Sequence, residues 1–395
     1  MVPYAVVVLD AFPVTAQGKT DPRALPAPGP RRGGAAAGAR PRNAVEAQVA
    51  EIWAEVLSVS DVGLSDDFFR VGGHSLAAVR LLSRVRERFG RGVALPDFMA
   101  NPTVAHMASL LAATTPPDTR APARALIDLT RGGTSTMVCV HPIGGSAACY
   151  LELARWMGRD CTVKAFQAGG GTCHSLDTLA HAYVTELRRE VGDGPVRLCG
   201  WSFGGLLAYE MARQLEADGV RVDLLAMLDT YPPREARGLE SGAADDESAV
   251  LLRAAAGLVG TLAEGDPANR AGEQEAFVRL DPARQKAALR EALRRHGLIG
   301  ASEADFSEAL VRVARHARAA DAYEVRPIRS PIDLFVAHDG EPGMLAAWWG
   351  RWTSGGLRVH DVPGDHDAIL RPPAVRDVAA TLAALIAAPI ANLSR

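Results

Sequence analysis

Residues 196–215 read VRLCGWSFGGLLAYEMARQL, and this stretch decides the fold. Val196 and Leu198 make an apolar, strand-like run. Gly200-Trp201-Ser202-Phe203-Gly204 follows, with the pattern G-x-S-x-G. Leu206, Leu207, Tyr209, Met211 and Leu215 then recur at helical spacing. A serine on such a sharp strand-to-helix turn has its Oγ exposed at the C-terminal edge of a sheet, and small flanking residues let the backbone make the turn. The following helix N-terminus favours negative charge there. The bland alternative is a serine that caps a helix after a glycine turn. An apolar strand entering and a helix leaving favour a nucleophile, Ser202.

Outward from this turn, short β-rich runs at 136–141, 162–167, 196–199, 223–228, 332–337 and 357–362 alternate with helical stretches. That alternation predicts a parallel sheet covered by helices. Residues 234–326 break the rhythm, with amphipathic helical stretches and no convincing strand. An insertion of that length is expected to be a lid over a site.

An activated serine needs a base, and the base an orienting acid, here in the order Ser, Asp or Glu, His. His366 sits in a Gly364-Asp365-His366 loop between the last strand and a final helix over about 374–387, where a base can hang over the turn. His141 ends an early strand and is expected to shape the next turn; His338 lies too close to a strand. Spacing leaves two acids open: Asp229, after the strand that follows the Ser202 helix, and Asp339, after the penultimate strand. Asp365 adjoins His366 too closely to bond its ring. Backbone N–H groups should receive the oxyanion, one from Phe203 and one from Ile143 in His141-Pro142-Ile143-Gly144-Gly145.

The N-terminal third has another character. Residues 26–42 contain only Pro, Ala, Gly and Arg, and 114–124 is similarly poor in packing residues; both read as linkers. Between them, 43–113 reads as a small helical bundle. Val45, Val49, Ile52, Trp53, Val56 and Leu57 form the first helix, with Asn43 and Glu46 as an expected capping box. Leu76, Val79, Leu82, Val85 and Phe89 form the second, stopped at Gly90, and a third starts near Asn101-Pro102. Asp67-Phe68-Phe69-Arg70-Val71-Gly72-Gly73-His74-Ser75-Leu76 places Ser75 before the second helix, behind an accessible glycine turn.

That segment resembles the peptidyl carrier protein of nonribosomal peptide synthetases, and the resemblance covers 43–113. It implies a 4′-phosphopantetheine arm on Ser75, added by a phosphopantetheinyl transferase. Residues 125–395 resemble the type I thioesterase that ends such assembly lines, an α/β-hydrolase with a helical lid at about 234–326. The matching stretches are His141–Gly145, the turn at Ser202, Leu228-Asp229-Thr230 and Gly364-Asp365-His366. In these thioesterases the acid follows the strand after the nucleophile's helix, so the resemblance, not the spacing, implies Asp229. Residues 1–25 resemble the extreme C-terminus of an adenylation domain, with Phe12-Pro13-Val14-Thr15-Ala16-Gln17-Gly18-Lys19 as its closing motif. Gln17 replaces the usual asparagine, and the stub reads as a remnant with no site for Lys19 to complete. The resemblance implies transfer of a peptidyl thioester from Ser75 to Ser202, then hydrolysis or macrocyclisation, with upstream synthetase modules as partners and antibiotic-type secondary metabolism as the context. The rival readings are an editing or free-standing thioesterase, and a non-catalytic carrier-docking module.

Composition narrows the classes. The net charge of −3 offers no basic surplus for nucleic acid. No targeting segment or membrane span is expected; the apolar tail 378–393 is too short and contains Pro389. The odd cysteine count, with Cys139 and Cys199 in apolar strands, suits reduced thiols in the cytoplasm, without metal-ligand spacing or a catalytic context.

Overall fold

A computed structural model describes residues 41–73, 75–93, 95–112, 125–158, 160–168, 175–192, 194–233, 276–277, 279–295, 303–338 and 342–387 of the 395-residue chain. Residues 1–25 with Lys19, most of both linkers, the 234–275 part of the expected lid and Asp339 lie outside the described residues.

Four helices come first: α1 (Ala44–Leu57), α2 (Ser75–Phe89), α3 (Leu95–Ala100) and α4 (Val104–Ala112). Their core is aromatic. Phe68 meets Trp53 at 5.0 Å and Phe98 at 5.4 Å, both edge-on, the arrangement that ring quadrupoles favour. The buried Trp53 indole N–H points at Met107 Sδ, 3.5 Å away. Gly90 ends α2 at φ +67°, as its position suggested. Two expectations need correction. The short helix α3 was not foreseen, because Leu95 to Ala100 spans too few residues to show a period. Only half of the capping box forms: Asn43 Oδ1 accepts the Glu46 N–H at 2.9 Å, but the Glu46 carboxylate takes the Arg42 N–H at 2.6 Å and its guanidinium at 2.8 Å instead of the Asn43 N–H.

Seven strands follow: β1 (Leu126–Asp128), β2 (Ser135–Val140), β3 (Cys161–Phe166), β4 (Val196–Trp201), β5 (Val222–Leu228), β6 (Ile332–Ala337) and β7 (Leu357–Val362). Their order is β1-β3-β2-β4-β5-β6-β7, and every pairing is parallel except β1 with β3. The helices α5 (Leu151–Trp156), α6 (Leu176–Val191), α7 (Phe203–Ala217), α8 (Pro282–Arg295), α9 (Glu303–Asp321), α10 (Pro342–Trp349) and α11 (Ala374–Ala387) accompany them, with α8 and α9 between β5 and β6. Alternate strand residues face opposite layers. Met137, Cys139 and Cys199 join the core under α5 and α11, whereas Val138, Val140 and Leu198 join the core under α6, α7 and α10. This is the expected α/β-hydrolase arrangement, preceded by an all-α bundle.

The strand order turns at the neighbours β2 and β4: the chain leaves β2 toward β3 and leaves β4 toward β5. The carboxyl ends of strands on either side of such a switch open a crevice where ligands bind in α/β sheets. His141 follows β2 and Ser202 follows β4, so both lie there. Among the described residues, no helix is long and apolar enough to cross a membrane.

Candidate active site

Ser202 caps α7 at φ 58°, ψ −123°, a backbone conformation that costs about 1–3 kcal/mol and persists only where surroundings enforce it. Glycines permit the close approach that the turn needs. A Cβ at Gly200 would overlap the Gly204 carbonyl, one at Gly204 the Val140 carbonyl, and one at Gly205 the Thr230 side chain. The Ser202 N–H donates to Leu228 O at 2.9 Å, which ties the turn to the end of β5. Tyr150 ties it to β2: its hydroxyl accepts the Trp201 N–H at 2.8 Å and donates to Val140 O at 2.6 Å. Burial raises the Tyr150 pKa well above the ordinary phenol value and so keeps that donor.

Asp229 and His366 meet directly. Asp229 Oδ2 lies 2.6 Å from His366 Nδ1, and Oδ1 accepts the Ala337 N–H at 3.1 Å. The carboxylate is 1% exposed and sits on a residue at φ 41°. Burial works to lower the His366 pKa, but the Asp229 hydrogen bond and charge, with Asp367 and Asp365, outweigh it and raise the pKa above the ordinary imidazole value. Trp201 connects this pair to the serine turn: its indole N–H donates to His366 O at 3.1 Å, and its ring centroid lies 5.3 Å from the imidazole. No hydrogen bond joins the Ser202 hydroxyl to His366 among the described residues. Such bonds often tighten only when substrate binds. Asp365 instead caps its own turn, accepting from the Asp367 and Ala368 N–H groups. His338 is exposed and lies 3.3 Å from Asp361.

The turn after β2 is held by two imidazoles. His141 Nδ1 lies 2.8 Å from Pro142 O, and its Nε2 lies 2.7 Å from the Tyr183 hydroxyl. Burial pushes the His141 pKa down to about 3, so it stays neutral, a turn-shaping residue as expected. His316, on α9, bonds Ile143 O at 2.7 Å. Sequence reasoning missed His316 and Tyr183: each lies on a distant helix, and only the register of α9 and α6 against the turn brings it in. Among the described residues, neither the Ile143 nor the Phe203 N–H donates to a protein acceptor.

Ser75 is the first residue of α2, a helix of 15 residues with no acid in its first turn. Gly73 is buried there, its N–H donating to Phe68 O at 2.8 Å, and a Cβ on it would overlap the Phe68 ring. Asp67 Oδ1 accepts the Phe69 and Arg70 N–H groups and shapes the preceding turn. A cradle that excludes a side chain, opening on an acid-free helix N-terminus, fits a phosphodiester on Ser75.

Comparison with known proteins gives the following. Residues 135–385 match the Thioesterase domain family, and residues 47–111 match the phosphopantetheine attachment site family. A dimodular nonribosomal peptide synthase of Bacillus subtilis is 38% identical over 265 residues, covering 65% of this chain and 11% of that protein. A probable non-canonical nonribosomal peptide synthetase, CymA, of Salinispora arenicola is 29% identical over 403 residues, covering 99% of this chain and 5% of its own length. The chain thus spans a small part of these relatives. Among solved structures, the holo form of AB3403, a four-domain nonribosomal peptide synthetase bound to AMP and glycine, has TM-score 0.61 at 28% identity, covering 98% of this chain and 29% of that one. The Vlm2 thioesterase domain, bound with a dodecadepsipeptide, has TM-score 0.50 at 25% identity, covering 67% of this chain and 99% of that one.

Proposed function

The chain belongs to the thioesterase-domain family, and from that premise we propose that it ends nonribosomal peptide assembly, moving a peptidyl group from Ser75 to Ser202 and then releasing it. We propose the organisation the sequence suggested: an adenylation-domain-like segment at 1–25, a carrier at 43–113, and a thioesterase at 125–395 whose lid spans about 234–326. The observation that carries the reading is the Asp229–His366 pair at 2.6 Å, set beside a tight serine turn that closely packed glycines permit. The carrier-family match in the same chain is the second support.

4′-Phosphopantetheine on Ser75 supplies the thiol on which the acyl group is presented. The flexible arm and the 114–124 linker raise the effective concentration of that group near Ser202. His366, held with Nδ1–H toward Asp229, takes the Ser202 proton at Nε2 as Oγ bonds to the acyl carbon. The Ile143 and Phe203 N–H groups receive the negative charge that develops on the carbonyl oxygen. As the carbon–sulfur bond breaks, His366 returns its proton to the departing thiolate. The acyl–Ser202 ester then yields to a second nucleophile, whose proton His366 takes and returns to Ser202 Oγ as the ester bond breaks: water gives a linear acid, and an internal amine or hydroxyl gives a ring. The lid selects between them by admitting or excluding water. Upstream synthetase modules and a phosphopantetheinyl transferase are the partners this route requires, and the cytoplasm is where they would meet.

A fluorophosphonate probe tests the nucleophile. The reading expects one adduct, on Ser202, absent in Ser202→Ala; an adduct at another serine, or none, overturns it.

A further inference from the structure

His316 stands on α9, far from the β2 turn in sequence, yet it touches both residues assigned as oxyanion donors. Its Nδ1 lies 2.7 Å from Ile143 O, and its ring stacks on Phe203 with centroids 4.9 Å apart and planes 14° apart. The same ring stacks on His141 at 5.1 Å. His316 is 5% exposed, and burial lowers its pKa, so it meets these neighbours as a neutral ring.

The tautomers follow from the partners. A carbonyl only accepts, so Nδ1 carries the hydrogen in both His141 and His316. His141 Nε2 is then a lone pair, and the Tyr183 hydroxyl donates to it.

These bonds hold the two peptide units that flank Ile143. The Pro142 carbonyl and the Ile143 N–H are opposite edges of one planar unit, so fixing the oxygen fixes the direction of the N–H. The His141 Nδ1–H and the Gly145 N–H both donate to that oxygen, the latter at 2.9 Å. The next unit begins with Ile143 O, and His316 holds it. Gly145, at φ +83°, lets the same helix approach: a Cβ there would overlap the Arg312 stem.

We propose that His316 is a positioning residue that couples the seating of lid helix α9 to the oxyanion hole, by holding the Ile143 carbonyl. The inference rests on the thioesterase reading above. It makes the seating of Ile143, whose N–H the His141 and Gly145 bonds to Pro142 O direct, depend from its carbonyl side on a helix of the proposed lid.

The test compares three variants on a soluble acyl thioester, with kcat and KM measured separately and circular dichroism and Tm recorded for each. Asparagine can place its amide N–H where Nδ1–H stands. Glutamine carries its N–H one bond further, near the Nε2 position. Phenylalanine keeps the stacked ring and loses the donor. Removing an oxyanion donor outright costs about 100- to 1000-fold in rate. His316 only helps seat the residue that carries one, so His316→Gln and His316→Phe should lose about 10- to 100-fold in kcat with KM little changed, while His316→Asn stays within about threefold of wild type. Unchanged kcat in all three, an Asn variant as slow as the Gln variant, or a loss confined to KM would overturn the proposal. Should the Phe variant not fold, the Asn and Gln pair decides. Ser202→Ala, run alongside, separates the two levels: if it still turns over, the thioesterase reading has failed, not the role of His316.

Discussion

Asp229→Asn bears most on the catalytic geometry, because each carboxylate oxygen has one donor. Oδ1 takes the Ala337 N–H at 3.1 Å and Oδ2 the His366 Nδ1–H at 2.6 Å, in a site 1% exposed. Asparagine can satisfy one of these. With its carbonyl toward Ala337, its NH2 faces His366 Nδ1, which must then be the lone pair. The ring proton moves to Nε2, where it blocks acceptance of the Ser202 proton. The reverse orientation sets two N–H groups against each other and leaves a buried donor unsatisfied, at about 1–3 kcal/mol. The unproductive tautomer is thus favoured by about 5- to 150-fold. Losing the anion that stabilises the imidazolium adds to this, and the analogous change in a serine-protease triad costs about 10,000-fold in kcat. A loss of about 1,000- to 10,000-fold, or about 4–5 kcal/mol in the barrier, is expected.

Single-turnover thiol release from a soluble acyl thioester, measured from pH 5 to 9, reads this directly. In wild type the rate should fall as pH drops through the raised His366 pKa, above the ordinary value of about 6.5. In Asp229→Asn the raising partner is gone and the desolvation remains, so the acidic limb should move to lower pH while the plateau collapses. Activity within tenfold of wild type, or a larger loss in Asp339→Asn, would refute the reasoning.

Gly205→Ala should destabilise the fold by at least about 1–3 kcal/mol, since its Cβ would overlap the Thr230 side chain; an unchanged denaturation midpoint would contradict the packing account. Glu210→Gln removes a fully buried carboxylate that holds Arg213 at 2.7 Å, Gln214 at 2.7 Å and the Tyr323 hydroxyl at 2.8 Å, and should cost about 1.5–3 kcal/mol in chemical denaturation. Burial works to raise the Glu210 pKa, yet these donors hold it below the ordinary glutamate value. Its contribution is therefore present above about pH 4.3, where an unfolded glutamate ionises, and is lost as pH falls through the lower folded value. The gap between wild type and Glu210→Gln should narrow toward pH 3.

The parts of the fold that were legible are those whose residues carry their own pattern. The strands at 332–337 and 357–362 and the final helix at 374–387 coincide with β6, β7 and α11: β6 is a short β-rich run buried throughout, β7 a short β-rich run at the sheet edge, and α11 an amphipathic helix. β1 escaped, being only Leu126 to Asp128 and paired antiparallel at the sheet edge. Ser202 and its glycines could be read locally, since the turn needs small residues at fixed offsets. Spacing alone left the acid divided between Asp229 and Asp339. The contact that distinguishes Asp229 crosses from the end of β5 to the loop after β7, and such pairings leave no trace in linear order. His316 and Tyr183 were illegible for the same reason, and the half-formed capping box shows a flanking charge, Arg42, outcompeting a backbone N–H for Glu46.

The central claim is that an acyl group travels from Ser75 to Ser202 before release. Intact-protein mass spectrometry of the full chain, loaded on Ser75 with a peptidyl-phosphopantetheine by a phosphopantetheinyl transferase, follows that journey. Wild type should shed the peptidyl mass within the turnover time, and Ser202→Ala should keep it on Ser75. Loss of the peptidyl mass from Ser202→Ala at the wild-type rate would contradict the account.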